Sequence, residues 1–227
     1  MAWTTNEKSN EKLVISLKEK EIIKSDVTYK TMMAVDRGIF APRSPYVDSP
    51  QSIEFKATIS APHMHAFAID EIVPYLKKDS RVLDVGCGSG YLLACFAKIV
   101  GPSGLVVGIE HIPELKDLSE RNLANWLSSI SNSLHRDGIK IILGDGRDGY
   151  PSHAPYDAIH VGAAAYPIPQ ALIDQLKPGG ILISPEGPPG GIQSLVRITK
   201  NTDGTILKST LMGVNYVPLT DKHVQLS

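Results

Sequence analysis

The chain has 227 residues, 42% of them hydrophobic, and its 23 basic and 24 acidic side chains give a formal net charge of −1. This length suits one large α/β domain or one domain with an added lobe. The balanced charge makes no case for nucleic acid or an anionic membrane as a partner, and no run approaches the ~18 apolar residues of a membrane span. With only two cysteines, Cys87 and Cys95, and no secretion signal at residues 1–8, we expect a cytosolic protein.

The first part of the chain predicts two helices and a loop. Ser9 or Asn10 can cap a helix over residues 11–24, and Ser25 or Asp26 can cap a second over residues 26–36. The second helix would have an apolar face of Val27, Met32, Met33 and Val35. The stretch 40–52 is rich in Pro, Ser and Asp and predicts a loop.

A third helix is predicted to begin at Pro62 and to end near residue 75. Pro62 suits the first helical position, and Ser60 just before it is a candidate cap. His63 and His65 lie in this helix. They have no acidic or cysteine partner nearby in the sequence, so we expect no metal site there.

A buried strand followed by alternate glycines dominates the middle of the chain. Residues 81–85 form an apolar run typical of a parallel strand, and Gly86, Gly88 and Gly90 allow a tight turn and close approach by a ligand. A helix over residues 91–100 would direct its free N–H groups at that ligand. The glycines resemble the S-adenosylmethionine loop of Rossmann-like methyltransferases. A structural glycine turn is the alternative, and Cys87 is interpreted as a small loop residue rather than a nucleophile.

The ligand is not expected to be a dinucleotide. The dinucleotide motif needs a small third residue, and Tyr91 or Leu93 stands in that place here.

Acidic residues follow the next two predicted strands. Strand 104–110 ends at Glu110, which can accept the hydroxyl protons of a ribose, although a solvated glutamate at a strand end is the alternative. A helix over residues 114–131 and a loop over 132–138 follow. Strand 140–143 then leads to Asp145 and Gly146, which can bond the edge of an adenine.

The remaining elements complete a strand–helix alternation. They are a strand at 156–162, a helix at 169–176 stopped by residues 177–180, a strand at 181–184, a loop at 187–191, and strands at 194–200 and 205–217. This order predicts a doubly wound, mostly parallel α/β sheet of Rossmann-like type. We predict a single domain over residues 1–227, with an N-terminal helical lobe and loop (1–56), a cofactor-binding core (57–185) and C-terminal strands (186–227).

Over most of its length the chain resembles the protein-L-isoaspartate (D-aspartate) O-methyltransferase family. The resemblance begins at residues 1–3, is weakest at 4–12, 128–138 and the last few residues, and is carried by residues 49–53, 57–66, 83–90, 144–147, 154–165, 169–180 and 211–222. Cys87 stands where the family often has Ser or Thr, and Glu110 where Asp is frequent. Cys87 is still a small loop residue, and Glu110 still supplies a carboxylate.

The resemblance implies an S-adenosylmethionine-dependent enzyme that releases S-adenosylhomocysteine. Its substrates would be damaged peptides and proteins, methylated on the free α-carboxylate of an L-isoaspartyl or D-aspartyl residue. The ester then closes to a succinimide, whose hydrolysis returns some normal aspartate. The resemblance further implies a monomer with no nucleic-acid, membrane or metal partner.

The resemblance also implies roles for individual residues. Ser60 matches the catalytic serine, and Ile59, Ser60, Ala61 and Val214 would contact the substrate. The cofactor contacts would be Ala61, Pro62, His63, Met64, Asp84, Val85, Gly86, Gly88, Glu110, His111, Asp145, Gly146 and Thr220.

Two other functions stay open at this point. A methyltransferase with another carboxylate or a small-molecule acceptor would share the glycine loop, but residues 58–65 would then have no explanation. A non-catalytic cofactor-binding protein would be favoured by a filled glycine loop or a lost acid, and neither is present.

Overall fold

The computed structural model describes residues 6–130 and 136–227. Its helices are α1 Asn10–Glu19, α2 Asp26–Ala34, α3 Pro62–Ile72, α4 Tyr91–Val100, α5 Pro113–Ser129, α6 Gln170–Asp174 and α7 Lys222–Leu226. Its strands are β1 Gln51–Ser52, β2 Thr58–Ile59, β3 Arg81–Val85, β4 Leu105–Glu110, β5 Ile139–Leu143, β6 Tyr156–Val161, β7 Leu176–Glu186, β8 Gln193–Lys200 and β9 Ile206–Val214. No helix in these ranges is both long and apolar enough to cross a membrane.

One seven-stranded sheet organises the fold, in the order β5-β4-β3-β6-β7-β8-β9. The first five strands in that order run parallel, and β8 and β9 are antiparallel additions. The chain winds outward from β3 in both directions, through β4 and β5 on one side and β6 and β7 on the other. Ligands of such sheets bind beyond the carboxyl ends of the strands at this reversal point. The predicted doubly wound, mostly parallel sheet is confirmed.

Burial on both faces explains the apolar run in β3. Val82 packs with the helices of one face, whereas Leu83 and Val85 pack into a separate cluster on the other face. Successive strand residues point to opposite sides, so a sheet covered on both sides needs apolar residues at consecutive positions. This packing holds the glycine loop after Val85 over a rigid base.

The two N-terminal helices form where the sequence predicts them but are shorter. Ser9 and Ser25 are the caps. Helix α1 ends at Glu19 rather than near residue 24, because Glu21 adopts a left-handed φ of 57° and the chain turns back to bond the Leu17 carbonyl.

The predicted apolar face of α2 is wrong at one position, because Val27 is 44% exposed. The buried face instead follows helical spacing through Thr28, Thr31 and Met32.

The C-terminal third departs most from the sequence prediction. Residues 177–180 do not stop helix α6, which already ends at Asp174; they lie inside β7, where the pairing with β6 shifts register between Tyr156 and Ala158. Strand β9 ends at Val214, not at residue 217, and residues 222–226 form helix α7 rather than part of a strand region. Of the predicted loop 132–138, residues 136–138 form a 3₁₀ turn. Its residues 132–135, and the end of the predicted helix at 131, lie outside the described residues.

Candidate active site

The glycine loop after β3 leaves open space for a ligand. Gly86, Gly88 and Gly90 all have positive φ values, of 72°, 52° and 85°. A Cβ added at Gly86 would meet no atom within 4 Å, so a side chain there would extend into the cleft above the loop. Cys87 in this loop is 7% exposed, and burial raises the pKa of its thiol. The thiol therefore stays protonated, as the interpretation of Cys87 as a small loop residue requires.

A cavity of about 590 Å³ lies at the carboxyl ends of β3, β4 and β5. Seven of the predicted cofactor residues line it, namely Gly86, Gly88, Glu110, His111, Asp145, Gly146 and Thr220. The fold thus brings together residues that lie up to 134 positions apart in the sequence (220 − 86).

Glu110 lies in the wall of this cavity with 5% of its surface exposed. Its carboxylate accepts hydrogen bonds from the backbone N–H of Gly88 at 3.1 Å, of His111 at 2.8 Å and of Ile112 at 3.1 Å. Burial raises the pKa of Glu110, and these bonds oppose the rise. One side chain therefore ties the glycine loop to the segment before α5.

Asp145 on the other side of the cavity is held by Arg147. The Arg147 guanidinium bonds both Asp145 carboxylate oxygens at 2.6–3.0 Å and also pairs with Asp221. The pairing with Arg147 lowers the pKa of Asp145, which keeps the carboxylate ionised at neutral pH. Gly146 lies directly against Val85, and a Cβ at Gly146 would collide with that side chain.

Gln225 of α7 also lines the first cavity, and nothing in the sequence indicates this. Its side chain bonds His111 Nε2 at 2.8 Å and the Phe55 carbonyl at 2.9 Å. These two bonds hold the C-terminal helix against the cavity. In the sequence Gln225 is only a glutamine in a short polar stretch. Its spacing from His111 and Phe55 does not indicate that it bonds them.

A second cavity, of about 350 Å³, adjoins the first through their shared residues Thr58, Gly86, Gly88 and Gly162. Three further predicted residues line it, namely Ile59, Ser60 and Asp84. His65 and His160 line it too, although neither was predicted from the sequence to have a site role. Asp84 is buried and pairs with His160 Nδ1 at 2.7 Å. A histidine between the apolar residues Ile159 and Val161 of a buried strand was the available signal for His160.

Ser60 is not the cap of α3, contrary to that prediction. The N-cap residue is Ala61, which makes no side-chain capping bond. The acceptor at this helix end is instead Asp48, whose carboxylate bonds the His63 backbone N–H at 2.9 Å and the His63 ring at 2.9 Å. The Ser60 side chain is therefore free of a capping role.

A third, more open cleft of about 630 Å³ begins at Ser60. It is lined by Pro50, Thr58, Ser60, Ala61, Met64, Asn215, Tyr216 and Val217. Burial raises the pKa of the Tyr216 phenol, and a hydrogen bond with the Ser60 side chain partly opposes this rise. Ser60 thus lies where the second cavity meets the open cleft. Pro62, His63, Val85 and Val214 do not line any of the three spaces.

Within the described ranges, no group of three or more His, Cys, Asp or Glu side chains is placed to hold a metal ion.

Comparison with known proteins identifies the family. The model of the protein-L-isoaspartate(D-aspartate) O-methyltransferase family matches residues 7–224. The chain belongs to this family. It is 49% identical over 219 residues to protein-L-isoaspartate O-methyltransferase 1 of Arabidopsis thaliana, covering 96% of this chain and 94% of that one. It is 46% identical over 225 residues to the Caenorhabditis elegans protein-L-isoaspartate O-methyltransferase, with 99% and 98% covered.

Solved structures of isoaspartate methyltransferases share the fold. A Plasmodium falciparum protein assigned to protein-L-isoaspartate O-methyltransferase, crystallised with S-adenosyl-L-homocysteine, superposes with a TM-score of 0.84 at 36% identity. The match covers 94% of this chain and 99% of that one. Another protein-L-isoaspartate O-methyltransferase gives a TM-score of 0.79 at 25% identity, covering 94% and 66%. The family, the fold and the enzyme class predicted from the sequence are confirmed.

Proposed function

We propose that this isoaspartate methyltransferase transfers a methyl group from S-adenosylmethionine to the free α-carboxylate of L-isoaspartyl residues, and that it also methylates D-aspartyl residues. The product ester then closes to a succinimide, which begins the repair of damaged peptides and proteins. The observation that carries the proposal is the position of Ser60, which lines both the second cavity beside the glycine loop and the open cleft. A cofactor that extends from the first cavity into the adjoining second cavity and a peptide in the open cleft would meet at this residue.

The residues of the first cavity fit the cofactor. The open space above Gly86 accepts a ligand that a side chain would displace, and Glu110 and Asp145 present carboxylates for ribose hydroxyls and an adenine amino group. Bound S-adenosylmethionine supplies a methyl group on a sulfonium centre. The residues proposed to hold it are Ala61, Pro62, His63, Met64, Asp84, Val85, Gly86, Gly88, Glu110, His111, Asp145, Gly146 and Thr220. Those of these residues that do not line the first cavity are proposed to hold in place the residues that do.

The acceptor needs no general base from the protein. A peptide carboxylate has an ordinary pKa near ~3.5–4 and is ionised at neutral pH. The protein must instead align the carboxylate with the methyl group and keep water out. In our proposal Ser60 donates one hydrogen bond that orients the carboxylate, and Ile59, Ala61 and Val214 contact the substrate chain. A stronger donor would stabilise the ground-state anion and weaken its attack.

Geometry would select the isoaspartyl linkage. In this linkage the main chain runs through the side-chain carbonyl, so it is one methylene longer and the α-carboxylate hangs free. A normal aspartate presents its carboxylate at another place and angle. Both groups are ionised, so basicity discriminates poorly, whereas ~1 Å of misplacement can slow transfer on the order of 100-fold.

Two matched peptides test the proposal. One carries L-isoaspartate and the other normal L-aspartate at the same position, and each is incubated with methyl-labelled cofactor while released methanol is counted. We expect clear labelling of the isoaspartyl peptide and negligible labelling of its partner. Equal labelling would indicate a general carboxyl methyltransferase, and no labelling with the cofactor bound would indicate another acceptor.

We further propose that the enzyme is a cytosolic monomer without a nucleic-acid or membrane partner. The net charge of −1 and the two buried cysteines support this assignment. We also keep the proposed single domain with its parts 1–56, 57–185 and 186–227. Light scattering of the purified protein tests the oligomeric state.

A further inference from the structure

Arg37 is a buried cation that forms no ion pair with a carboxylate in the described part of the chain. Its side chain belongs to a 3₁₀ turn after α2 and is 1% exposed. None of the ion pairs within the described ranges involves Arg37, and its Nε has no hydrogen-bond partner. A buried charge that makes no ion pair is costly, even though the Asp48 carboxylate favours the charged form of Arg37, so we expect this guanidinium to have a task that a neutral side chain would not perform.

The two ends of the Arg37 guanidinium reach the residues of the second cavity. Nη2 donates to the Ser60 carbonyl at 2.8 Å, and Nη1 lies 3.1 Å from Nδ1 of His65. Tyr91 supports both groups, since its ring stacks on His65 with centroids 4.9 Å apart and lies 5.6 Å below the guanidinium carbon. Arg37 therefore contacts the chain segment that carries Ser60 and, separately, the ring of His65.

The contact with Arg37 decides which nitrogen of His65 carries the proton. Burial lowers the pKa of Arg37 to about 10, so the guanidinium is still charged at neutral pH and only donates. Nδ1 of His65 must then accept, which places the ring proton on Nε2. Burial lowers the pKa of His65, and the charges of Arg37, His160 and His63 lower it further. The ring is therefore neutral at physiological pH.

The other edge of the His65 ring is available to a ligand. His65 lines the second cavity together with Ser60 and Asp84, and no group in the described part of the chain bonds its Nε2. A fixed N–H donor near a buried guanidinium favours an anionic acceptor.

We propose that Arg37 is a positioning residue that holds His65 in its Nε2–H tautomer, so that His65 donates a hydrogen bond to a carboxylate in the cavity beside Ser60. That carboxylate has two possible sources, the amino-acid end of the cofactor and the isoaspartyl substrate. In naming these two sources, the inference rests on the proposed function.

The wild-type protein alone tests the tautomer. Nitrogen NMR of histidine-labelled protein, with the His65 signals assigned by their loss in His65→Gln, should show an unprotonated Nδ1 and a protonated Nε2 between about pH 6 and pH 8. A ring protonated on Nδ1, or a charged ring in this range, would overturn the proposal. This measurement uses neither cofactor nor turnover, so it does not depend on the proposed function.

Binding measurements on Arg37 variants then identify the source of the carboxylate. S-adenosylhomocysteine carries the carboxylate, whereas methylthioadenosine has the same nucleoside and sulfur without it. If the cofactor is the source, Arg37→Met should weaken S-adenosylhomocysteine on the order of tenfold and change methylthioadenosine by less than about twofold. If the substrate is the source, both Kd values should stay unchanged, and KM for the isoaspartyl peptide should rise on the order of tenfold.

Two further variants separate this role from a loss of structure. Arg37→Lys keeps a cationic donor, so we expect it to keep the His65 tautomer and to recover part of the lost affinity. Arg197→Met removes a guanidinium from a half-exposed pair with Glu71 and should leave both ligands unaffected. If Arg37→Met folds, by circular dichroism, and changes neither Kd nor KM, the proposal fails. A wild-type protein with the expected tautomer that methylates no isoaspartyl peptide would refute the proposed function instead.

Discussion

At the scale of single residues, Glu110 combines a structural and a proposed binding role in one carboxylate. Three backbone N–H groups already bond it, from the glycine loop and from the segment before α5. It also lines the first cavity, where the proposed ribose hydroxyls would be further donors. A carboxylate has about four acceptor positions, so three N–H donors do not exhaust it.

Replacing Glu110 therefore tests the ribose assignment. Glu110→Ala should weaken S-adenosylhomocysteine at least several-fold by calorimetry, because lost hydrogen bonds to a charged group cost roughly 1–3 kcal/mol. Glu110→Asp keeps the carboxylate and is the matched control, with an affinity closer to that of the wild type. Unchanged affinity in a folded Glu110→Ala protein would contradict the assignment.

The sequence predicted site residues that line both cavities, but it gave no site role to Arg37, His65 or His160. Glu110 and Asp145 are predictable because each follows a strand whose position in the sheet the pattern determines. Arg37 and His65 lie 28 positions apart on different elements, and tertiary packing brings them into direct contact beside Tyr91. Sequence spacing carries no information about such a contact.

At the scale of elements, helix α3 shows how a local pattern misled. Ser60 before Pro62 has the spacing of a cap, yet Asp48 from the preceding loop takes that role. Residues 177–180 misled in the same way, since the pairing of β6 with β7 overrides a typical helix stop. Local propensity predicts where an element is possible, and tertiary pairing decides where it begins and ends.

The two candidate caps of α3 give opposite predictions. Asp48→Ala should lower the free energy of unfolding by about 1 kcal/mol or more, because it removes the acceptor of the His63 N–H. Ser60→Ala should leave that free energy nearly unchanged, lower the rate of methyl transfer, and keep S-adenosylhomocysteine affinity within a few-fold. Urea unfolding and peptide turnover of both variants provide the measurements. Full turnover in Ser60→Ala would remove Ser60 from the reaction.

At the scale of the whole molecule, the proposed cofactor site joins distant parts of the chain. Its walls come from the loops after β3, β4 and β5, from residues 217–220 and from α7, which Gln225 holds against His111 and Phe55. A ligand in this cavity would contact elements from both halves of the sheet. Binding to the native state alone should then stabilise the entire fold, since the unfolded chain has no such cavity.

This linkage predicts a thermal shift that distinguishes the cofactor from a dinucleotide. S-adenosylhomocysteine at about 100 times its Kd should add roughly 2.7 kcal/mol to the free energy of unfolding. For a chain of this length that corresponds to an increase in Tm of roughly 5–10 °C. NAD at the same concentration should give no shift, because the bulky Tyr91 and Leu93 occupy the positions where a dinucleotide loop needs a small residue. Glu110→Ala should show a smaller shift at equal ligand concentration. An equal shift with NAD would mean that the glycine loop does not select its ligand as the sequence predicts.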